Sequence, residues 1–167
     1  MIFNTNKHNY ELYNISLTLS RNLFFYKKIN LADNFETRIY LMFFHFSIFM
    51  IITKKKGSKF DQKTYDHFFH NIEYNLRELG FGDVTVNKKM KEFNKILYDI
   101  LLKLDLNKDN NDKFEINVKL IKNYFSSLNN VESTKLDEFK GYFLNFYNFC
   151  FEQSLDNMLE EAINYRY

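Results

Sequence analysis

Residues 39–52 read IYLMFFHFSIFMII, an apolar run interrupted only by His45 and Ser47. The run is apolar on every side rather than along one stripe, and it falls short of the ~20 residues that span a bilayer. A helix of this kind is buried all round, so other helices must surround it. Lys54, Lys55 and Lys56 follow it and resemble the basic cluster that flanks a membrane segment. The reading adopted is a central core helix that ends in a solvated basic loop.

The rest of the composition agrees with a helical shell around that centre. The chain has 167 residues, 46% of them hydrophobic, which suffices for one core without disulfides or metals. It contains no proline and only 4 glycines. A sandwich or barrel of short strands needs that turn punctuation every few residues, so an all-β fold is not expected. The expected architecture is all-α: a compact bundle of five to six helices forming a single domain over residues 1–167.

Spacing places the helices. The first runs from about Tyr10 to Lys27, with Leu12, Ile15, Leu19 and Leu23 on one face. The second starts near Asp33, where Asp33 and Glu36 have capping-box spacing, and carries the apolar run to about Thr53. The third, about Asp61 to Leu79, aligns Tyr65, Phe68 or Phe69, Ile72, Leu76 and Leu79, and Gly80 is placed to end it. A fourth uses Val86, Met90, Phe93, Leu97, Leu101 and Leu104 and leads into a polar loop, Asn107 to Asn111. Asp112 and Glu115 look like a second capping box, opening a helix with Phe114, Val118, Ile121, Phe125 and Leu128 on its stripe. The last helix runs from Ser133 almost to the C-terminus.

Chemistry is sparse along this scaffold. His67 and His70 have a metal-ligand spacing but no evident third ligand. Asp105, Asn107 and Asp109 begin like a calcium loop, yet Asn110 replaces the turn glycine and Ile116 the bidentate glutamate. There is no nucleophile elbow, phosphate loop or dinucleotide fingerprint, and the adjacent Glu160 and Glu161 point apart on a helix. Enzyme activity and a resident cofactor are therefore not expected. His45, among Phe43, Phe44, Phe46 and Phe49, leaves one alternative, a haem-binding helical protein. Cys150 reads as a packed thiol in a reducing compartment. Net charge is +2, so DNA binding is not suggested. Residues 1–11 show neither an apolar signal core nor transit-peptide character, which points to a bacterial cytoplasm.

The segment NLRELGFGDVTVNKKMKEFNKILYDIL (75–101) stands apart. Two of the four glycines, Gly80 and Gly82, fall within three residues, amid Arg77, Glu78, Asp83, Lys88, Lys89 and Lys91. A glycine-capped corner between two helices explains the glycines, and a recognition surface explains the charge. The run Leu76-Arg77-Glu78-Leu79-Gly80-Phe81-Gly82-Asp83, then Lys88-Lys89-Met90 and Tyr98, resembles the signature of the ubiquinol–cytochrome c chaperone family of mitochondria and alphaproteobacteria. Upstream, Phe25-Tyr26, Asp33, Phe35, Glu36, Arg38 and His45 match the family's course, and the resemblance covers about Tyr10 to Leu128.

This resemblance implies an all-helical, non-catalytic chaperone that holds newly made cytochrome b until respiratory complex III is assembled. It implies peripheral contact with the inner face of the cytoplasmic membrane, or the matrix side in a eukaryote, and contact with the ribosome and a small partner subunit. Arg77, Glu78, Asp83, Lys88 and Lys89 are the expected partner-binding residues, with Gly80 and Gly82 as structural turn positions. Lys54 to Lys56 and Lys88 to Lys91 are candidates for meeting anionic lipid or ribosomal RNA. A membrane-surface adaptor without a specific client is the further alternative.

Overall fold

A computed structural model describes residues 5–105 and 113–167, with side chains from Leu12 onward. The described residues form an all-α bundle of seven helices without a strand: α1 (Thr5–Ser20), α2 (Phe35–Lys55), α3 (Gln62–Glu78), α4 (Asp83–Asp105), α5 (Val118–Tyr124), α6 (Ser133–Glu152) and α7 (Leu155–Ala162). A π-helical turn, Phe24–Lys28, and a 3-10 turn, Ser126–Leu128, complete the set.

The apolar run is the axle of this bundle. α2 packs against α1, α4 and α6, and every residue from Leu41 to Phe49 is buried. By length and composition α2 could cross a membrane, but here it is a core helix. Several of its aromatic contacts are edge to face, an arrangement that ring quadrupoles favour. Phe44 meets Phe139 at 6.2 Å and 82°, and Phe46 meets Phe60 at 5.2 Å and 66°.

Several expected boundaries move, each for a local reason. α1 stops at Ser20, whose hydroxyl bonds the Leu17 carbonyl at 2.7 Å, and the Tyr26 hydroxyl takes the Ser20 carbonyl at 2.7 Å. Asn22 then accepts the Phe24 N–H at 3.0 Å and starts the π-helical turn, leaving Leu23 exposed rather than on the buried face. The cap of α2 is Asn34, not Asp33: the Asn34 side chain accepts the Thr37 N–H at 2.8 Å, while Asp33 lies 3.5 Å from Arg38.

No helix begins at Lys113–Glu115; Asp112 and the calcium-like positions after Asp105 lie outside the described residues. Residues 113–117 are neither helix nor strand, with Phe114 and Ile116 buried and Lys113, Glu115 and Asn117 exposed around them. The helix starts only after Asn117, which accepts the Lys119 N–H at 2.7 Å. The final helix is two, because Gln153 and Ser154 are extended. The Lys56 ammonium holds the Gln153 carbonyl, and the Ser154 carbonyl accepts the Met158 N–H at 2.9 Å to open α7.

Lys54 to Lys56 are not a free basic loop. Lys54 pairs with Asp105 at 2.9 Å, Lys55 sits over the Tyr147 ring at 5.4 Å, and Lys56 covers Phe151 at 5.2 Å. These cations fasten the end of α2 to α4 and α6.

Candidate functional site

The corner between α3 and α4 is built by Gly80. Its N–H bonds the Arg77 carbonyl at 3.0 Å, and the Phe81 N–H bonds the Leu76 carbonyl at 3.3 Å. This is the Schellman pattern, which needs a left-handed residue after the helix. Gly80 supplies it with φ of 90°. Gly82 has no left-handed φ, and a Cβ placed on it meets open space. Its Val86 N–H bond at 2.9 Å, accepted by its carbonyl, starts α4.

The charged residues around this turn divide into two kinds. Arg77 reaches Glu73 at 3.0 Å with one guanidinium nitrogen and Asp83 with another. Those two carboxylates raise its pKa, and its main task is to lace the end of α3 to the start of α4. Lys89 lies 5.3 Å from the Phe81 ring centroid and 3.9 Å from Glu36. Glu78 and Lys88 are exposed, and none of the described ion pairs involves them.

Leu79, expected on the buried stripe, is 60% exposed, and Phe81 and Val84 are exposed beside it. The helix has already ended at Glu78, so Leu79 turns out of the stripe. Together with Glu78 it forms one wall of a cleft of about 290 Å³ between α1, α2 and the end of α3. Leu17, Phe35, Ile39 and Met42 supply an apolar lining, and Arg21 and Arg38 bring two guanidinium groups to it. Tyr26 feels both arginines. Burial, with Asp33 adding, pushes its hydroxyl pKa up to about 12, while Arg38 and Arg21 pull the other way. Nothing in the sequence marks Arg21, and Arg38 stands out only through the family resemblance.

A larger hollow of about 670 Å³ lies elsewhere, between residues 113–116 and α6, with Phe114, Leu144 and Tyr147 in its lining. None of the predicted site residues lines it, so volume and sequence signal point to different places. The smaller cleft is the better candidate, because two of the signature residues form its wall.

His45 is placed against haem ligation. Its Nδ1–H donates to the Leu41 carbonyl at 2.7 Å, and its Nε2 accepts the Tyr142 hydroxyl at 3.0 Å. Both ring nitrogens are occupied and the residue is wholly buried. Burial lowers its pKa from 6.5 to about 3, outweighing the Leu41 bond, which raises it. Cys150 is buried too, and burial pushes its thiol up to about 12, a packed and unreactive group. His67 and His70 lie exposed on α3, and among the described residues no group of three or more His, Cys, Asp or Glu could hold a metal ion.

What the fold offers, then, is a rigid aromatic-cored bundle with an apolar cleft and a charged corner at one end: a helical binding domain. The family model of the ubiquinol–cytochrome C chaperone matches residues 27–164, more than four fifths of the chain. The chain belongs to that family of non-catalytic chaperones associated with cytochrome b and complex III assembly. No curated protein and no solved structure matches it individually.

Proposed function

We propose that this chain binds newly made cytochrome b and keeps it competent for assembly into ubiquinol–cytochrome c reductase. One observation carries the reading: signature residues Glu78 and Leu79 wall a cleft that joins an apolar lining to two arginines. A membrane protein awaiting insertion or partners exposes apolar segments bounded by polar ends. The cleft suits such an end, with Leu17, Phe35 and Met42 covering side chains while Arg21, Arg38 and Glu78 select charge and orientation. Arg77 and Asp83 hold the corner in shape beside it, and Lys88 and Lys89, on the helix that follows, add positive charge to the partner-binding surface. The chaperone works at the inner face of the membrane that receives its client, alongside the ribosome and a small partner subunit.

The test is affinity capture of the tagged protein after crosslinking in its native cells, with mass spectrometry of what is retained. Cytochrome b should be enriched, and Glu78→Lys with Leu79→Asp should remove it while circular dichroism stays unchanged, since both residues are exposed. Capture of other complex III subunits without cytochrome b would keep assembly and discard this client. Recovery of neither would end the proposal.

A further inference from the structure

The outward face of α4 carries a second pattern. Val84, Lys88, Lys91, Lys95, Tyr98 and Leu102 follow one another at alternating spacings of four and three, which aligns them on one side of a helix. They lie opposite the buried stripe of Val86, Phe93, Leu97, Ile100 and Leu104. All six are exposed, with Val84 at 85%, Tyr98 at 52% and Leu102 at 57%. The stripe is straight and about 27 Å long at the helical rise.

Its charge is uncompensated. None of the described ion pairs involves Lys88, Lys91 or Lys95. The acidic residues of α4 are directed to other partners: Asp83 meets Arg77 and Asp105 meets Lys54. Asp99 is held by Lys103 at 2.7 Å and accepts the Tyr124 hydroxyl, and Glu92 adds to the burial and the Glu36 charge that raise the pKa of Tyr40 in α2. The other basic cluster, Lys54 to Lys56, is engaged with Asp105, Tyr147, Phe151 and the Gln153 carbonyl.

We infer that this face of α4 docks the protein on an anionic lipid bilayer. Three lysines at one level meet headgroup charge, and lysine stems lie along apolar surface while their ammonium groups stay in water. The apolar groups at both ends distinguish a bilayer from a nucleic-acid backbone. Val84 and Leu102 have nothing to gain from a phosphate chain, whereas the boundary between headgroups and acyl chains accepts them, and Tyr98 suits that depth. The inference gives the peripheral placement proposed above a specific face. It uses no client, so its failure leaves the cytochrome b assignment to be judged by capture alone.

Vesicle flotation tests it, with two parts phosphatidylcholine to one part phosphatidylglycerol against phosphatidylcholine alone. The intact chain should bind the anionic vesicles and release with rising salt. Lys88→Gln with Lys91→Gln and Lys95→Gln should lower that binding roughly 100-fold, at about fivefold per lysine. Lys27→Gln with Lys59→Gln and Lys63→Gln, three exposed lysines elsewhere, should leave it nearly unchanged. Val84→Ser with Leu102→Ser should weaken vesicle binding and leave binding to polyuridylate unaltered. Equal binding to both vesicle types, or a stripe variant that floats like the intact chain, would overturn the docking face. Loss of polyuridylate binding in the lysine variant, with vesicle binding intact, would assign the stripe to RNA and overturn it as well.

Discussion

His45 couples the core to pH. In the unfolded chain its imidazole takes up a proton near 6.5, whereas burial holds the native pKa at about 3. Between these values the unfolded state binds a proton that the native state refuses, so this residue makes stability rise with pH. Its contribution is complete above 6.5 and is lost as the solution is acidified toward 3. Urea unfolding at pH 7 and pH 5 should show a smaller loss in His45→Gln than in the parent, by up to one proton's worth of linkage. Identical pH dependence in both proteins would mean that His45 titrates normally in the fold. His45 was legible as a buried residue from its phenylalanine neighbours. Its partner Tyr142 was not, because 97 residues separate them and only packing brings them together.

At the scale of single elements, the two corner glycines make a sharp comparison. Gly80→Val should cost about 1 kcal/mol or more, because a β-branched side chain is forced into the left-handed region. Gly82→Ala should change stability by less, its Cβ meeting no neighbour. Denaturant midpoints measured on both variants check the difference, and equal midpoints would remove the Gly80 cap. The boundaries of α3 were readable for this reason, with Asp61 accepting the Thr64 N–H at 2.9 Å at one end and Gly80 at the other. At the start of α2 the spacing pointed to Asp33, and the fold uses its neighbour. Asp33 and Asn34 both favour N-caps, and the choice of Asn34 follows from backbone geometry that spacing does not encode. Phe114 fitted a helical stripe with Val118 and Ile121 as well as it fits the alternating burial it shows with Ile116, since a five-residue segment is too short for its period to stand out.

For the whole molecule, the central position of α2 followed from its being apolar all round, and the all-α class from the lack of turn residues. The cleft did not follow. Its walls come from three helices, and Arg21, Arg38 and Leu79 share a surface only after those helices pack. Which apolar residues stay uncovered is decided by tertiary structure, so the charged corner was readable and the pocket beside it was not.

That same arrangement has a bearing on how the chain is made. Synthesis proceeds from the N-terminus, and domains fold as their parts become available. α2 leaves the ribosome well before α6, the helix that closes over His45 and Phe44. For that interval a 21-residue helix with the length and composition of a membrane span stands partly unshielded. A chain stopped before Ser133 should therefore partition into membranes or precipitate when translated in a cell-free extract with added vesicles, while the full chain stays soluble or binds only at the surface. A soluble, monomeric truncated product would show that the helices before Ser133 suffice to hide α2. Until its own last fifth arrives, this chaperone shares the vulnerability of an uninserted membrane segment, and its brief exposure as a nascent chain mirrors the hazard it is proposed to relieve in another.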